Sequence, residues 1–270
     1  MKPNAVYFKV GSLFLTLLFT QMLPAQSNKI LFVMSAADTL PLNQGAKLRQ
    51  TGVFLNEFYL AYKAITEAGY VVDVATPHGI VATIDEESLN DTYWKKDLKL
   101  KHEAIHFTKT NYAFNNPITL EKAIEKEADY IGMVIPGGQG LMMDLAYDDH
   151  IPTLLMHFSK GKKPTGLICH APSLLLTIPK DENPYIGFKV NAVSFLEEFV
   201  IERFIMKGKP ASRKIAKRLK KMGLKYRSGL PKADYAVKDR NLVTSQNPFS
   251  GNSFNILYLQ ALSEYLESLN

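Results

Sequence analysis

Short apolar runs recur along the chain, and longer segments of mixed polarity separate them. The runs have the length and the aliphatic, β-branched composition of buried strands. They lie at residues 30–34, 71–75, 130–135, 165–168 and 241–244. Strands that alternate with helices favour a largely parallel sheet with helices on both faces, so the pattern predicts an α/β fold.

The segments between these runs carry apolar residues at helical spacing. An apolar stripe over residues 51–68 predicts a helix, which Gly69 ends. A second helix is predicted directly after Cys169, over residues 171–178, and a third over residues 253–269. Each of these predicted helices thus lies next to a predicted strand in the sequence.

The tract from residue 83 to 116 interrupts this regular alternation. It is more polar than its surroundings and holds Trp94, the only tryptophan. No internal repeat or low-complexity linker divides the chain. We therefore expect one domain over residues 26–270, with the tract as an insertion over the sheet.

The first residues have the organisation of a secretory signal peptide. Two lysines accompany an apolar stretch from Val10 to Phe19, and Ala25 offers a small residue for cleavage before Gln26. The apolar stretch is shorter than the roughly 20 residues that span a bilayer. The sequence thus predicts a signal peptide over residues 1–25. It also predicts an exported protein, periplasmic or secreted, without stable membrane insertion after cleavage.

The positive charge of the remaining chain is modest and concentrated in one segment. Removing the two leader lysines from the 32 basic residues leaves 30 against 26 acidic residues, a net charge of +4. Much of this charge lies in residues 212–225, where Ile215, Leu219 and Met222 repeat at helical spacing. We therefore expect a helix with a solvated basic face, and no nucleic-acid partner.

Cys169 is the only cysteine, and it lies in the stretch Gly-Leu-Ile-Cys-His-Ala-Pro between a predicted strand and a predicted helix. It is either a small buried residue or a reactive thiol. In parallel α/β sheets functional groups collect at the carboxyl ends of strands, where a tight turn exposes a nucleophile. The positive end of the following helix would favour the thiolate, so we predict that Cys169 is an activated nucleophile.

A second loop at the same edge offers backbone hydrogen-bond donors. Pro-Gly-Gly-Gln-Gly follows the predicted strand at residues 130–135, and Gly137 and Gly138 allow this loop to approach closely. Their amides and that of His170 are candidates for an oxyanion hole. No histidine follows His170, so the downstream histidine of papain-like proteases and of true glutamine amidotransferases is missing.

Four stretches occur together in an order that carries a family resemblance: GAKLRQTGVFLNE, AGYVVDVATPHG, VIPGGQG and LICHAPSLLL. Two later stretches, GLKYRSG and LVTSQNP, fit the same pattern. From about Lys29 onward the chain resembles the ThiJ/PfpI superfamily, in the branch of glutathione-independent glyoxalases also described as stress chaperones or protein deglycases. The resemblance implies a flavodoxin-like α/β sandwich, a homodimer, and cysteine chemistry without a metal or organic cofactor.

The resemblance also implies roles for individual residues. Cys169 matches the family's nucleophile, His170 its neighbour, and Glu57 the glutamate that hydrogen-bonds the cysteine sulfur. A carboxyl beside a thiolate makes sense only if it stays protonated, since two anions in contact repel each other. The acid that orients the histidine matches Glu198, with Glu197 as the alternative.

Two positions depart from the family pattern. Gln139 stands where the glycine-rich loop often has histidine, and Ala171 stands where glycine often follows the Cys-His pair. Glutamine donates hydrogen bonds but does not titrate. We expect Gly137, Gly138 and Gln139 to contact the substrate, with Gln139 changing how it is handled.

A competing motif, His-Glu-Ala-Ile-His, occupies residues 102–106 and fits the zinc-protease pattern H-E-x-x-H. On a helix, His102 and His106 would share a face and bind zinc, with Glu103 as general base. However, the flanking residues alternate as much as they suggest a helix, and no third ligand follows at the metzincin spacing. We therefore expect solvent-facing histidines and no metal site.

Together with these residues, the resemblance implies the conversion of small 2-oxoaldehydes such as methylglyoxal to 2-hydroxy acids without glutathione. Cys169 would form a hemithioacetal, and Glu57 and His170 would move protons between adjacent carbons. Hydrolysis of glycated adducts, or a small amidase or peptidase activity, would use the same parts. A redox-sensing or chaperone-like protein would use the same cysteine. The expected partner is a small aldehyde or a glycated substrate.

Overall fold

The computed structural model describes residues 27–269, so the predicted signal peptide lies outside the described residues. The strands in this range are β1 (Lys29–Val33), β2 (Thr39–Leu42), β3 (Lys47–Gln50), β4 (Val71–Thr76), β5 (Ile118–Thr119), β6 (Tyr130–Ile135), β7 (Thr165–Ile168), β8 (Lys189–Val190), β9 (Lys225–Tyr226), β10 (Ala236–Asp239) and β11 (Leu242–Ser245). The α-helices are α1 (Leu55–Glu67), α2 (Leu98–Thr110), α3 (Tyr112–Asn115), α4 (Leu120–Glu125), α5 (His150–Lys160), α6 (Phe195–Val200), α7 (Ile215–Met222) and α8 (Gly251–Ser268).

The central sheet has seven strands in the order β10-β11-β7-β6-β1-β4-β5. All neighbouring pairs are parallel except β10 and β11, where β10 adds an antiparallel edge. The largely parallel sheet predicted from the apolar runs is therefore confirmed. Because β6 and β7 are neighbours, the loops that follow them leave the same edge of the sheet side by side.

Helices cover both faces of the sheet. α8 contacts α1, β10 and β11, and α1 contacts α2, so these helices form one layer. α5 contacts α4, β7 and the segment after Cys169, and α7 contacts that segment too. Where α8 crosses the sheet, Gly166 leaves room for the ring of Phe254. Gly166 therefore serves this packing rather than the turn at Cys169.

Two predicted helices differ from the structure, the first in where it begins and the second in its type. The first begins only at Leu55, because the residues before it pair with Ile84 and with the carbonyl of Gly137. The segment after Cys169, predicted as an α-helix, is a short 3₁₀ helix, Ala171–Thr177. At the first helix, long-range contacts thus replace the local hydrogen bonds of an additional helical turn.

The polar tract of residues 83–116 forms 3₁₀ turns followed by α2 and α3. It packs on α1 through aromatic contacts, such as that of Phe107 with Tyr62 at a ring-centroid distance of 4.5 Å. Trp94 is buried, and its indole N–H donates to the Ser88 carbonyl at 2.9 Å. The tract thus shares the main hydrophobic core of the domain.

Helix α7 has the amphipathic form that the basic segment predicted. Ile215 and Leu219 are buried, whereas Lys217 and Lys220 are exposed. Its basic side chains therefore lie on the solvated face. Among residues 27–269, no helix combines the length and apolar character needed to cross a membrane.

Candidate active site

Cys169 lies on a strained turn at the carboxyl end of β7. Its φ of 59° is in the left-handed region, which costs a non-glycine residue on the order of 1–2 kcal/mol. Backbone hydrogen bonds hold the turn: the Cys169 amide donates to the Ser245 carbonyl at 2.8 Å, and the Cys169 carbonyl accepts from the Val193 amide at 2.9 Å. The turn has the form of the nucleophile elbow predicted from the sequence.

Two titratable side chains lie against the Cys169 sulfur. The sulfur is 3.1 Å from His170 Nδ1. Glu57, in the first turn of α1, also reaches this point. A Cβ atom added to Gly137 would lie 2.4 Å from Glu57 Oε2 and 2.8 Å from Cys169 Cβ. The missing side chain of Gly137 therefore allows the carboxyl and the thiol to approach each other.

Burial determines the protonation of Glu57 and His170. Burial raises the pKa of the Glu57 carboxyl from 4.5 to about 8, and the nearby Cys169 thiol and Gly137 amide oppose this shift. Burial lowers the pKa of His170 from 6.5 to about 4. At neutral pH the carboxyl is therefore largely protonated, as expected for a carboxyl beside a cysteine, and the imidazole is neutral.

The electrostatics of Cys169 differ from the sequence-based prediction. Burial raises the pKa of the thiol well above its ordinary value of 9.0, and the adjacent Glu57 adds to the shift. The His170 amide opposes the shift without reversing it. The predicted thiolate is therefore wrong for the resting protein, because burial outweighs the short 3₁₀ helix that follows.

The site holds hydrogen-bonding groups without protein partners. Among the described residues, neither carboxyl oxygen of Glu57 has a well-aligned partner. The amide of Gly138 likewise donates to no acceptor within residues 27–269. Gly138 has a φ of 109°, and a Cβ there would lie 2.2 Å from the carbonyl oxygen of Gly52. The loop conformation thus requires glycine, and Gly138 lines the same cavity as Cys169.

The structure places Glu197, rather than Glu198, beside the candidate nucleophile. Glu197 lines the same cavity as Cys169 and His170. Glu198 instead accepts from the Lys214 amide at 2.6 Å, where it caps helix α7. Within the described chain, neither carboxylate is hydrogen-bonded to His170, so the choice of Glu198 as the orienting acid has no support in this geometry.

Glu197 holds the cavity wall together. Its carboxylate accepts hydrogen bonds from Gln246 Nε2 at 3.0 Å, Asn247 Nδ2 at 2.8 Å and the Lys232 amide at 2.9 Å. It also closes a capping box with Ser194 at the start of α6. With its oxygens occupied in this way, Glu197 acts on the site by positioning the loops that carry these donors.

A cavity of about 150 Å³ opens beside Cys169 and His170. Gly138 and Gln139 line it, whereas Gly137 lies behind Cys169, against Glu57. Arg49, which the sequence did not single out, lies 3.4 Å from both Gln139 Oε1 and Asp85 Oδ2. No local motif marks Arg49, because the β2–β3 hairpin brings it to the cavity.

The competing zinc motif lies on α2, so its residues are helical after all. His102 and His106 are exposed on that helix, and Glu103 lies 3.8 Å from Lys63 as an ion pair. The described residues contain no group of three or more His, Cys, Asp or Glu side chains that could hold a metal ion. The motif therefore lacks the third ligand that a zinc peptidase requires.

The raised pKa of Cys169 predicts how the thiol reacts with alkylating agents. Alkylation by iodoacetamide is expected to be slow at pH 7 and to accelerate above pH 9.0, since only the thiolate is nucleophilic. In Glu57→Gln the midpoint is expected to fall, because the like charge beside the sulfur is removed. Mass spectrometry of Cys169 across pH 6 to 11 measures both profiles. Rapid labelling of the wild type at pH 7 would contradict the raised pKa.

Comparison with known proteins shows a match to one protein family. The model of the DJ-1/PfpI family matches residues 50–179, a range that includes Glu57, the glycine-rich loop and the Cys169-His170 pair. Over these residues the chain is similar to the DJ-1/PfpI family, in agreement with its resemblance to the ThiJ/PfpI superfamily.

Three relatives illustrate the similarity. The protein/nucleic acid deglycase HchA of Staphylococcus aureus is 26% identical over 256 residues, which cover 89% of this chain and 81% of that protein. The structure of glyoxalase III from Candida albicans matches with a TM-score of 0.70 and 19% identity, over 86% of this chain and 96% of that one. The Rapid Encystment Protein of Francisella tularensis matches with a TM-score of 0.69 and 21% identity, over 87% and 99%. These two structures support the fold.

Proposed function

Because the DJ-1/PfpI family model matches the part of the chain that holds Glu57 and Cys169, we propose that the protein converts small 2-oxoaldehydes to 2-hydroxy acids by covalent catalysis at Cys169, without glutathione. One observation carries the proposal: the thiol on the elbow contacts both a neutral imidazole and a protonated carboxyl beside a small cavity. Two of the similar proteins, a deglycase and a glyoxalase III, support this class of chemistry.

The first step is addition of the thiol to the aldehyde carbon. His170 Nδ1, 3.1 Å from the sulfur, accepts the thiol proton as the carbon–sulfur bond forms. The aldehyde oxygen gains the electron pair of the carbonyl, and the free Gly138 amide stabilises that charge. Glu57 then donates its proton to the oxygen, which gives a neutral hemithioacetal and leaves Glu57 as a carboxylate.

The second step moves hydrogen between adjacent carbons. The Glu57 carboxylate takes the proton from the former aldehyde carbon and returns it to the neighbouring carbon, while the His170 imidazolium protonates the ketone oxygen. The hydroxyl on the former aldehyde carbon returns its proton to Glu57 as that carbon is oxidised to a thioester, and the ketone carbon is reduced to an alcohol by the same two electrons. Water then hydrolyses the thioester with neutral His170 as base. This step releases the 2-hydroxy acid and restores the thiol.

Redox sensing fits the site less well than this chemistry. Oxidation of a cysteine proceeds from an accessible thiolate. Cys169 is only 4% exposed, and burial raises its pKa well above the ordinary value. A neutral thiol that gives its proton to His170 when a substrate binds is better suited to catalysis than to redox sensing.

The test is to follow methylglyoxal loss and lactate formation by NMR with purified protein, without glutathione. We expect turnover whose kcat/KM is bell-shaped in pH. The rising limb lies near pH 4, where His170 loses its proton, and the falling limb lies near pH 8, where Glu57 does. Because the buried groups interact, the limbs report apparent values for the whole site. Absence of lactate at every pH from 4 to 9 would contradict the proposed function.

The expectations of export and dimerisation stay proposals. We propose that the mature protein is periplasmic or secreted, on the basis of the leader sequence. We also propose a homodimer, on the basis of the family resemblance. N-terminal mass spectrometry of the protein from a bacterial periplasm and analytical ultracentrifugation test the two proposals separately.

A further inference from the structure

The cavity beside Cys169 is lined mainly by apolar side chains. Phe54, Tyr93 and Phe249 form an aromatic row, with ring-centroid distances of 4.9 Å between the first two and 5.7 Å between the last two. The aliphatic lining residues are Val193, Val200, Ile201 and Ile205. A substrate as small as methylglyoxal has a single methyl group to place against this surface, so most of the apolar wall would contact nothing.

The size of the cavity indicates which group would fill it. It holds about 150 Å³. In other proteins, apolar cavities on the order of 150 Å³ bind a benzene ring. Burying apolar surface contributes to binding in proportion to its area, so a ring that fills the cavity gains far more than a methyl group does.

The charged groups around the cavity already have partners. Arg49 lies 3.4 Å from Asp85 Oδ2, and Glu87 accepts from the Tyr93 hydroxyl at 2.8 Å. Glu197 is occupied by its donors, and Lys232 Nζ lies over the Phe249 ring, 5.9 Å from its centroid. Each of these charged side chains is thus engaged by another protein group, and the apolar wall that remains favours an uncharged substituent on the substrate.

The surface next to the cavity is apolar as well. Val200 and Ile201 line the cavity, and the segment that carries them also exposes Phe195, Phe199 and Phe204. The segment thus has an apolar side that lines the cavity and a separate set of aromatic side chains in contact with solvent.

We propose that the preferred substrate is a 2-oxoaldehyde whose ketone carbon bears an aromatic ring or a branched aliphatic group of similar size. The inference rests on the proposed function and specifies its substrate class. In this arrangement the ring occupies the apolar cavity, while the aldehyde carbon lies at the Cys169 sulfur. The chemical steps and their balance are unchanged, and phenylglyoxal plus water yields mandelate.

Ile205 is the residue with which to test this proposal. It lines the cavity but is not part of the hydrophobic core. In Ile205→Phe the added ring occupies the cavity. The wild type is expected to show a kcat/KM for phenylglyoxal at least about tenfold above that for methylglyoxal. Ile205→Phe is expected to lower the phenylglyoxal value about tenfold and to change the methylglyoxal value less than about twofold.

Two further variants serve as controls. Phe204→Ala, on the exposed outer face of the same segment, is expected to leave both values unchanged. If Ile205→Phe does not fold, Val200→Phe narrows the cavity from a half-exposed position and carries the same expectation. Equal loss of both substrates in a folded cavity variant, or a wild type with no preference, would overturn the inference while leaving the proposed function intact.

A binding measurement separates this inference from the proposed function. Acetophenone, which has the ring but no aldehyde, is offered to Cys169→Ser and to Cys169→Ser/Ile205→Phe, and saturation-transfer NMR reports contact. Binding to the first and loss from the second support an aromatic-binding cavity, even if no aldehyde is turned over. If acetophenone does not bind to Cys169→Ser, the inference is wrong.

Discussion

Replacing Cys169 with serine is expected to lower kcat/KM for 2-oxoaldehydes by roughly three orders of magnitude or more. The hydroxyl has nearly the size of the thiol, so the elbow, the hydrogen bonds of its backbone and the cavity are retained. What is lost is nucleophilicity, since the serine oxygen is far harder to deprotonate than sulfur and forms no hemithioacetal of comparable reactivity. The measurement is lactate or mandelate formation without glutathione, with both proteins at equal concentration.

A neighbouring serine provides the matched control for this variant. Ser173 lies on the same 3₁₀ segment but does not line the cavity. Ser173→Ala is therefore expected to keep wild-type turnover. Both variants should unfold at temperatures close to that of the wild type. If Cys169→Ser retained more than about a tenth of the wild-type activity, Cys169 would not be the nucleophile of the reaction.

The sheet was predictable because its strands are buried on both faces. Such strands are short continuous apolar runs, and their composition alone marks them in the sequence. The prediction at residues 165–168 coincides with β7, and that at residues 130–135 with β6. Helix starts were less predictable. The apolar stripe in residues 51–68 already begins at Val53, yet the pairing of Val53 with Ile84 delays the helix to Leu55.

The two candidates for the acid that orients His170, Glu197 and Glu198, are adjacent in the sequence but have different contacts in the structure. Adjacent residues on a helix point about 100° apart, so Glu197 and Glu198 face different parts of the molecule. A family match by position did not resolve this difference. The sequence nevertheless contained a usable signal, because Ser194 and Glu197 have the spacing of a capping box. That pattern predicts that Glu197 turns back toward the start of α6, as the structure shows.

The protonation states of Cys169 and Glu57 could not be predicted from the sequence, for a different reason. The motif around Cys169 suggested a helix end that stabilises a thiolate, but it gave no measure of burial. In the structure Cys169 is 4% exposed and Glu57 is 3% exposed. The two groups come from segments far apart in the chain, and their mutual burial raises both pKa values. Only the tertiary arrangement determines that balance.

Glu57→Gln is expected to gain stability relative to the wild type as the pH rises from 4.5 to 7. The variant is also expected to be much less active. Burial raises the pKa of Glu57 to about 8 from its ordinary 4.5. Between these values the unfolded chain releases this proton while the folded protein keeps it. Wild-type stability therefore falls as pH rises through this window, by about 3 kcal/mol between pH 4.5 and 7. The glutamine does not titrate, so the variant escapes this loss.

The measured quantity is the difference in unfolding free energy between variant and wild type, taken by urea denaturation at pH 4.5, 6 and 7. This difference is expected to rise with pH, whatever constant offset the amide introduces. Glu67→Gln, at the exposed end of the same helix, removes a surface carboxyl that is paired with Lys63 and is the matched control for the loss of one carboxyl. Turnover in Glu57→Gln should fall by a factor of about a hundred or more, since the proton-transfer group is gone. A flat difference for Glu57→Gln would mean that the folded protein ionises this carboxyl as readily as the unfolded chain, and Glu57 could then not enter the reaction as an acid at neutral pH.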